Sequence, residues 1–187
     1  GALAYLHSKD IVHRDLKPEN FLLANEKLDS PIKIADFGFA SSVDGPNGLW
    51  GLCGSPGYVA PEIIKEKEGY GLPVDLWSMG VIFYILLTGV PPFAGDTDED
   101  SFALTLRGKY DKRELERASQ GAQDLCAKML TYSPKRRLTA EGALLHPWVT
   151  GTAADRELGV QENLRSWRAR MRFKKAIIAT VATTRMQ

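Results

Sequence analysis

The fold of this chain is decided by the stretch His13-Arg14-Asp15-Leu16-Lys17-Pro18-Glu19-Asn20. A His-Arg-Asp triplet alone occurs by chance and indicates nothing. Here, however, Asp36-Phe37-Gly38 follows sixteen residues after Asn20, and Ala60-Pro61-Glu62 follows about twenty residues beyond that motif. Three unrelated loop motifs are a poor explanation for this order and spacing, so we interpret the motifs together.

The residues around the first two motifs predict a helix end and a small β region. Residues 2–7 have the pattern of a helix that is ending. Short strand-like runs at 11–12, 21–23 and 32–34 predict strands, and the polar turn at 25–30 joins the last two as a hairpin.

The rest of the chain divides into one long loop and a series of helices. Residues 41–61 hold several glycines and prolines and lack sustained periodicity, which predicts a long loop of the kind that often carries function. Helical spacing then recurs near 74–87, 100–107, 121–131 and 139–145. The predicted fold class is therefore mainly α with a small β-hairpin region.

The three motifs together resemble the signature set of the protein-kinase family. The resemblance extends over nearly the whole chain and implies the C-terminal lobe of a kinase at 1–149, with ATP and Mg²⁺ as cofactors and proteins as substrates. The lysine within Asp-Leu-Lys-Pro-Glu-Asn at 15–20 is similar to that of serine/threonine kinases and not of tyrosine kinases.

The resemblance implies which residues react and which bind the cofactors. Asp15 accepts the proton of the substrate hydroxyl, and Lys17 places a cation near the transferred phosphoryl group. Asn20 and Asp36 supply oxygen ligands to Mg²⁺, and Leu22 lies under the adenine ring.

Two further residues are implied to contact the protein substrate. Glu19 matches an acidic position that lies near a basic substrate side chain in basophilic kinases; the alternative is an ordinary surface carboxylate. Ser55, within the 54–58 loop that receives the substrate backbone, matches a hydroxyl that hydrogen-bonds the catalytic Asp and Lys.

Architectural roles are implied for His13, Arg14, Phe37, Gly38, Glu62, Asp75 and Arg137. His13 and Phe37 belong to an internal hydrophobic spine, Asp75 ties the central helix to the catalytic loop, and Glu62 pairs with Arg137. His7 and His146 are interpreted as structural histidines, the latter at a helix terminus.

Arg14 also marks the kinase type in which a basic pocket receives a phosphate from the activation loop. The segment 49–53, directly before Gly54, contains no hydroxyl residue. We therefore expect control from elsewhere in the protein, although Ser41, Ser42, Ser55 and Tyr58 remain as loop hydroxyls.

Composition and charge narrow the function classes further. The chain has 24 basic and 23 acidic residues, so no overall field favours nucleic acid, and the apolar run 81–87 is far below the roughly 20 residues of a transmembrane segment. Cys53 and Cys126 are too few for a disulfide framework, which predicts a reducing compartment and a cytoplasmic protein, with the nucleus as an alternative.

A basic tail follows the body. Residues 163–187 contain seven basic and no acidic side chains, which leaves 1–162 with 17 basic and 23 acidic residues, or −6. After a linker at 150–162, we predict an amphipathic helix whose apolar residues are Trp167, Phe173, Ile177 and Val181. Helices of this type bind calmodulin or anionic membranes, and a solvated terminal helix is the simpler alternative.

The position of this helix favours calmodulin. Residues 173–180, directly after a kinase lobe, resemble the calmodulin-binding segment of calcium/calmodulin-dependent protein kinases, which implies a calmodulin site within 163–184 that also blocks the substrate site. Ala182 stands where a second large anchor is often found, and residues 158–160 lack the threonine of an autonomy site.

The 187 residues contain no Gly-rich loop, no phosphate-binding strand lysine and no glutamate partner for it. We therefore expect a fragment of a calcium/calmodulin-regulated serine/threonine kinase that is inactive alone. The alternative is a non-catalytic kinase lobe that sequesters calmodulin or substrates, against which the intact Asp15, Asn20 and Asp36 argue.

Overall fold

Over residues 1–25, 30–43, 45 and 47–151, the computed structural model of this chain contains seven α-helices and four short β-strands. The helices are α1 (Ala2–His7), α2 (Pro61–Lys65), α3 (Pro73–Thr88), α4 (Asp98–Arg107), α5 (Gln120–Met129), α6 (Ala140–Leu144) and α7 (Pro147–Thr150). The strands are β1 (Ile11–Val12), β2 (Phe21–Leu23), β3 (Ile32–Ile34) and β4 (Ser41–Ser42). Short 3₁₀ turns lie at Pro18–Asn20, Arg113–Leu115 and Pro134–Arg136.

The strands form two small antiparallel sheets. β2 and β3 pair with Leu22 opposite Lys33, which confirms the predicted hairpin. β1 pairs with β4, so Ser41 and Ser42 belong to a strand and not to the loop that the sequence predicts for them. Two adjacent serines carry no alternation, and their pairing partner lies about 30 residues upstream, so local pattern does not reveal this strand.

The core forms around α3, which is apolar on all sides. Eleven of its 16 residues are buried, as expected for a helix surrounded by other elements. Trp77 is fully buried and stacks on Phe93 with ring centroids 5.2 Å apart. The helix begins with Pro73 in its first turn and ends at Gly89, whose φ of 77° permits the left-handed conformation that closes the helix.

Capping residues decide where the other helices begin. Thr97 and Asp100 form a reciprocal capping box that starts α4 at Asp98, two residues before the predicted start. The Ser119 hydroxyl likewise accepts a hydrogen bond from the Ala122 N–H and starts α5. The sequence pattern does not predict α2, because five residues are too few to show helical periodicity.

The helix terminus expected at His146 is confirmed. His146 caps α7 by accepting a hydrogen bond from the Trp148 N–H, and its Nε2 lies 2.9 Å from Asp124 Oδ2. The Lys128 ammonium and then His146 hold the pKa of the Asp124 carboxyl below its usual range. His146 thus joins α5 to α7.

Within the described part of the chain, every helix is too short or too polar to cross a lipid bilayer. The linker expected at 150–162 falls outside the described residues except for 150 and 151, and the helix expected at 163–187 lies wholly outside them.

Candidate active site

The loop that follows β1 is held in place by one buried carboxylate from the central helix. Asp75 accepts hydrogen bonds from the backbone N–H groups of His13 and Arg14, each at 2.9 Å, and its Oδ2 also lies 3.0 Å from His7 Nε2. Asp75 is fully buried, so these partners compensate its loss of hydration. The position of the 13–20 loop therefore depends on α1 and α3 together.

Three side chains from two distant segments meet on this loop. Lys17 Nζ lies 2.7 Å from Asp15 Oδ2 and 2.9 Å from Ser55 Oγ, and the Ser55 hydroxyl donates to Asp15 Oδ1 at 2.7 Å. We call this set the Asp15–Lys17–Ser55 triangle. Both oxygens of a carboxylate that is only 3% exposed are thereby oriented, with a cation beside them. Such a carboxylate can accept a proton from a substrate hydroxyl that binds beside it.

Asn20 and Asp36 stand at the same end of the β2–β3 hairpin. Asn20 immediately precedes β2, Asp36 follows β3 two residues after its end, and the Ala35 N–H donates to the Asn20 carbonyl at 2.8 Å. The Asn20 side-chain amide donates to the Asp15 carbonyl at 2.8 Å, which directs its oxygen away from that bond. An amide oxygen and a carboxylate at one hairpin end are ligands suited to Mg²⁺.

The backbone is strained at two of these positions. Arg14 has a φ of 68° and Asp36 a φ of 62°, the left-handed region that residues other than glycine seldom adopt. The Gly38 N–H contacts Asp36 Oδ1 at 3.4 Å, and a side chain at 38 would come within 3.3 Å of that oxygen.

Leu22 lies on the open face of the hairpin. Its neighbours Phe21 and Leu23 line an apolar cavity of about 510 Å³ below the hairpin, so alternation places Leu22 on the other face, where 53% of it is exposed. Phe37 is 48% exposed and meets His13 edge-on, with ring centroids 5.1 Å apart. Leu22 thus lies on the open face of the hairpin, and Phe37 directly follows Asp36 at its end.

Glu19 is exposed and adjoins the 54–58 loop. Burial raises the pKa of the Tyr58 hydroxyl, and the negative charge of Glu19 raises it further.

Glu62 and Arg137 form a bidentate ion pair. Arg137 Nη1 and Nη2 donate to the two Glu62 carboxylate oxygens at 2.6 and 3.0 Å. The Arg137 side chain has no exposed surface, and its guanidinium lies 5.1 Å from the Trp77 ring centroid. The pair fastens α2, which follows the long loop, to the helical body.

Sequence reasoning missed one residue beside the 13–20 loop, Tyr70. Its hydroxyl receives a hydrogen bond from Arg14 Nη1 at 3.3 Å and donates to the Gly51 carbonyl at 2.9 Å. The sequence held one signal, Gly69, because a glycine between helices often marks a close backbone approach. In the structure, a Cβ added at Gly69 would lie 1.7 Å from the Asn47 carbonyl oxygen.

The residues expected to bind calmodulin, Trp167, Phe173, Ile177 and Val181, lie outside the described residues. The remaining expected site residues lie on the 13–20 loop, on or directly after the hairpin, and on the long loop. Those that hold these segments in place lie on α2, on α3 and in the turn before α6.

The chain is similar to known proteins over most of its length. Residues 1–149 match the model of the protein kinase domain. Human calcium/calmodulin-dependent protein kinase type 1B is 45% identical over 185 residues, which cover 96% of this chain and 53% of that protein. Calcium/calmodulin-dependent protein kinase type II subunit delta of Oryctolagus cuniculus is 42% identical over 188 residues, which cover 97% of this chain and 35% of that protein. Calcium/calmodulin-dependent protein kinase type 1 of Caenorhabditis briggsae is 41% identical over 192 residues, which cover 100% of this chain and 53% of that protein. The chain thus spans about half the length, or less, of these curated relatives.

Proposed function

This chain belongs to the protein kinase family and is related to the calcium/calmodulin-dependent kinases, and from this premise we propose that the complete protein transfers a phosphoryl group from ATP to serine and threonine hydroxyls of proteins. The observation that carries the proposal is the Asp15–Lys17–Ser55 triangle next to the hairpin end that bears Asn20 and Asp36.

Each of these groups has a chemical task in phosphoryl transfer. Asp15 accepts the proton of the attacking hydroxyl, and Ser55 and Lys17 hold its two oxygens in a constant orientation. Lys17 also places positive charge beside the transferred group. Asn20 and Asp36 hold Mg²⁺, which when bound offsets the charge on the phosphate oxygens. Leu22 contacts the adenine ring from the open face of the hairpin.

Substrate preference follows from charge at the mouth of the site. Glu19 is exposed, and its charge reaches Tyr58 in the loop proposed to receive the substrate backbone. We propose that Glu19 attracts a basic side chain of the substrate, so an arginine near the phosphorylated residue increases turnover.

Catalysis requires motifs beyond those of this chain. The 187 residues hold no Gly-rich phosphate loop and no strand lysine, so the phosphates of ATP have only part of their usual partners. We propose that this chain acts joined to a segment that carries those motifs, and that 163–184 regulates it by binding calmodulin. We place the complete protein in the cytoplasm, with the nucleus as an alternative.

The proposal is tested with the complete protein, calcium-loaded calmodulin, ATP and a peptide that contains arginine and serine. Asp36→Ala is expected to lower kcat by at least about 100-fold, because one Mg²⁺ ligand is lost. Asp96→Ala removes an exposed carboxylate outside the site and serves as the matched control.

Equal phosphorylation by wild type and Asp36→Ala contradicts the site assignment. Calmodulin binding without any phosphorylation, in a complete protein that binds ATP, favours the non-catalytic module. Loss in Asp36→Ala but not in Asp96→Ala supports the proposal.

A further inference from the structure

The Arg14 side chain is hydrogen-bonded to two other segments of the chain. Its Nε donates to the Phe39 carbonyl, and its Nη1 donates to the Tyr70 hydroxyl at 3.3 Å. Tyr70 lies 56 residues away along the chain, just before α3, and is 5% exposed. A neutral buried phenol thus contacts the arginine that precedes the catalytic Asp15.

The Tyr70 hydroxyl continues to the long loop. It lies 2.9 Å from the Gly51 carbonyl oxygen and 3.3 Å from that of Trp50, both as acceptors, and 3.5 Å from Cys53 Sγ. The phenol can accept one hydrogen bond from Arg14 while donating one to Gly51. A single side chain therefore links the catalytic loop to the segment 49–53.

The backbone of Tyr70 holds the same segment. Tyr70 and Leu49 exchange two hydrogen bonds, of 2.8 and 2.9 Å, as a bridge between the two stretches. The approach depends on glycine, since a Cβ at Gly48 would lie 2.7 Å from the Tyr70 carbonyl oxygen. Both the main chain and the side chain of Tyr70 thus act on residues 49–51.

These contacts hold the 49–53 segment without a phosphate group. An activation loop is commonly ordered by a phosphate that binds arginine, but residues 49–53 carry no hydroxyl to receive one. Burial and then the hydrogen bond with Cys53 raise the pKa of the Tyr70 hydroxyl, against the opposing effect of Arg14, and the phenol donates to the Gly51 carbonyl.

We propose that Tyr70 is a positioning residue that holds the 49–53 segment against Arg14 and so keeps Ser55 on Asp15 without phosphorylation. This inference rests on the proposed kinase function and adds to it a built-in substitute for the activating phosphate. Ser55 follows the held segment by two residues and donates directly to Asp15.

The test compares two variants of the complete protein that each delete one buried phenolic oxygen. Tyr70→Phe removes the link between Arg14 and Gly51. Tyr84→Phe is the matched control, because the Tyr84 hydroxyl also donates to a backbone carbonyl, that of Asp111 at 2.8 Å, in a part of the core away from the site.

We expect Tyr70→Phe to lower kcat/KM for a peptide about tenfold, as for loss of a hydrogen bond to a charged group, and Tyr84→Phe to leave it unchanged. In hydrogen exchange, the amides of 49–53 exchange faster in Tyr70→Phe while those of α3 do not change. Phosphatase treatment of the wild type leaves its activity unchanged.

The inference is overturned if the two variants match in both kcat/KM and exchange, or if phosphatase abolishes wild-type activity. A complete protein without kinase activity contradicts the proposed function instead, and the exchange of 49–53 still decides whether Tyr70 holds the segment. A uniform rise of exchange in α3 and 49–53 assigns Tyr70 a general packing role and also overturns the inference.

Discussion

Ser55 is the residue through which the long loop reaches Asp15, the proposed catalytic carboxylate. Its hydroxyl donates to Asp15 and receives a hydrogen bond from Lys17, so one small side chain joins the base to its cation. Because both oxygens of Asp15 are already oriented, the proposed reaction would not need to spend energy on placing them. The arrangement needs a hydroxyl at position 55.

At this scale we predict that Ser55→Ala lowers kcat by about 10- to 100-fold, because the hydrogen bond that orients Asp15 Oδ1 is lost. Ser55→Thr keeps the hydroxyl and is expected to retain most of the activity. Steady-state kinetics of the complete protein, with ATP and peptide varied separately, measure both variants. Equal kcat for Ser55→Ala and Ser55→Thr contradicts the role assigned to the hydroxyl.

At the scale of elements, Arg137 joins three segments of the fold. Besides its two hydrogen bonds to Glu62 on α2, Arg137 donates to three backbone carbonyls, those of Thr131 at 2.8 Å, Pro73 at 2.9 Å and Tyr132 at 3.2 Å. All of its donor nitrogens are thus occupied although the side chain is fully buried. Removal of either charge leaves the other buried without its partner.

We therefore predict that Arg137→Met lowers the free energy of unfolding by about 3 to 5 kcal/mol, measured by urea titration. Arg113→Met is the matched control, because Arg113 pairs with Asp111 on the surface with 84% of its side chain exposed, and we expect little change there. A similar change in the two variants, or none in Arg137→Met, contradicts the structural role of the buried pair.

At the scale of the whole molecule, charge is distributed unevenly along the chain. The body to residue 162 carries −6, with 17 basic and 23 acidic residues, whereas 163–187 carries seven basic and no acidic side chains. A basic segment with apolar residues at helical spacing fits an acidic groove with an apolar floor. Its charge is also opposite to that of the body, so under the proposed regulation calmodulin and the body would compete for this segment.

A peptide of residues 163–184 is predicted to bind calmodulin only when calcium is present. Trp167 fluorescence then shifts to shorter wavelength as its indole leaves water. A matched peptide with Ile177→Asp keeps Trp167 but breaks the apolar stripe and is expected to bind at least about tenfold more weakly. No calcium-dependent change in the wild-type peptide contradicts the proposed regulation.

Much of the fold and of the site is local and could be read from the sequence. The helix of α3 and the β2–β3 hairpin each leave a pattern within 16 residues or fewer, because their hydrogen bonds join near neighbours. The motifs containing Asp15, Asn20 and Asp36 likewise stand within 22 residues of one another. Backbone hydrogen bonding alone brings Asn20 and Asp36 to one end of a hairpin.

The amino-acid sequence by itself determined the motifs, the central helix, the hairpin and the family. Only the tertiary structure decided that Ser41 and Ser42 pair with β1 and that Tyr70 lies between Arg14 and Gly51. These contacts join segments about 20 to 56 residues apart, and they depend on close backbone approach and on a buried hydroxyl. Neither produces a periodic signal, because each is satisfied by one residue in the folded chain.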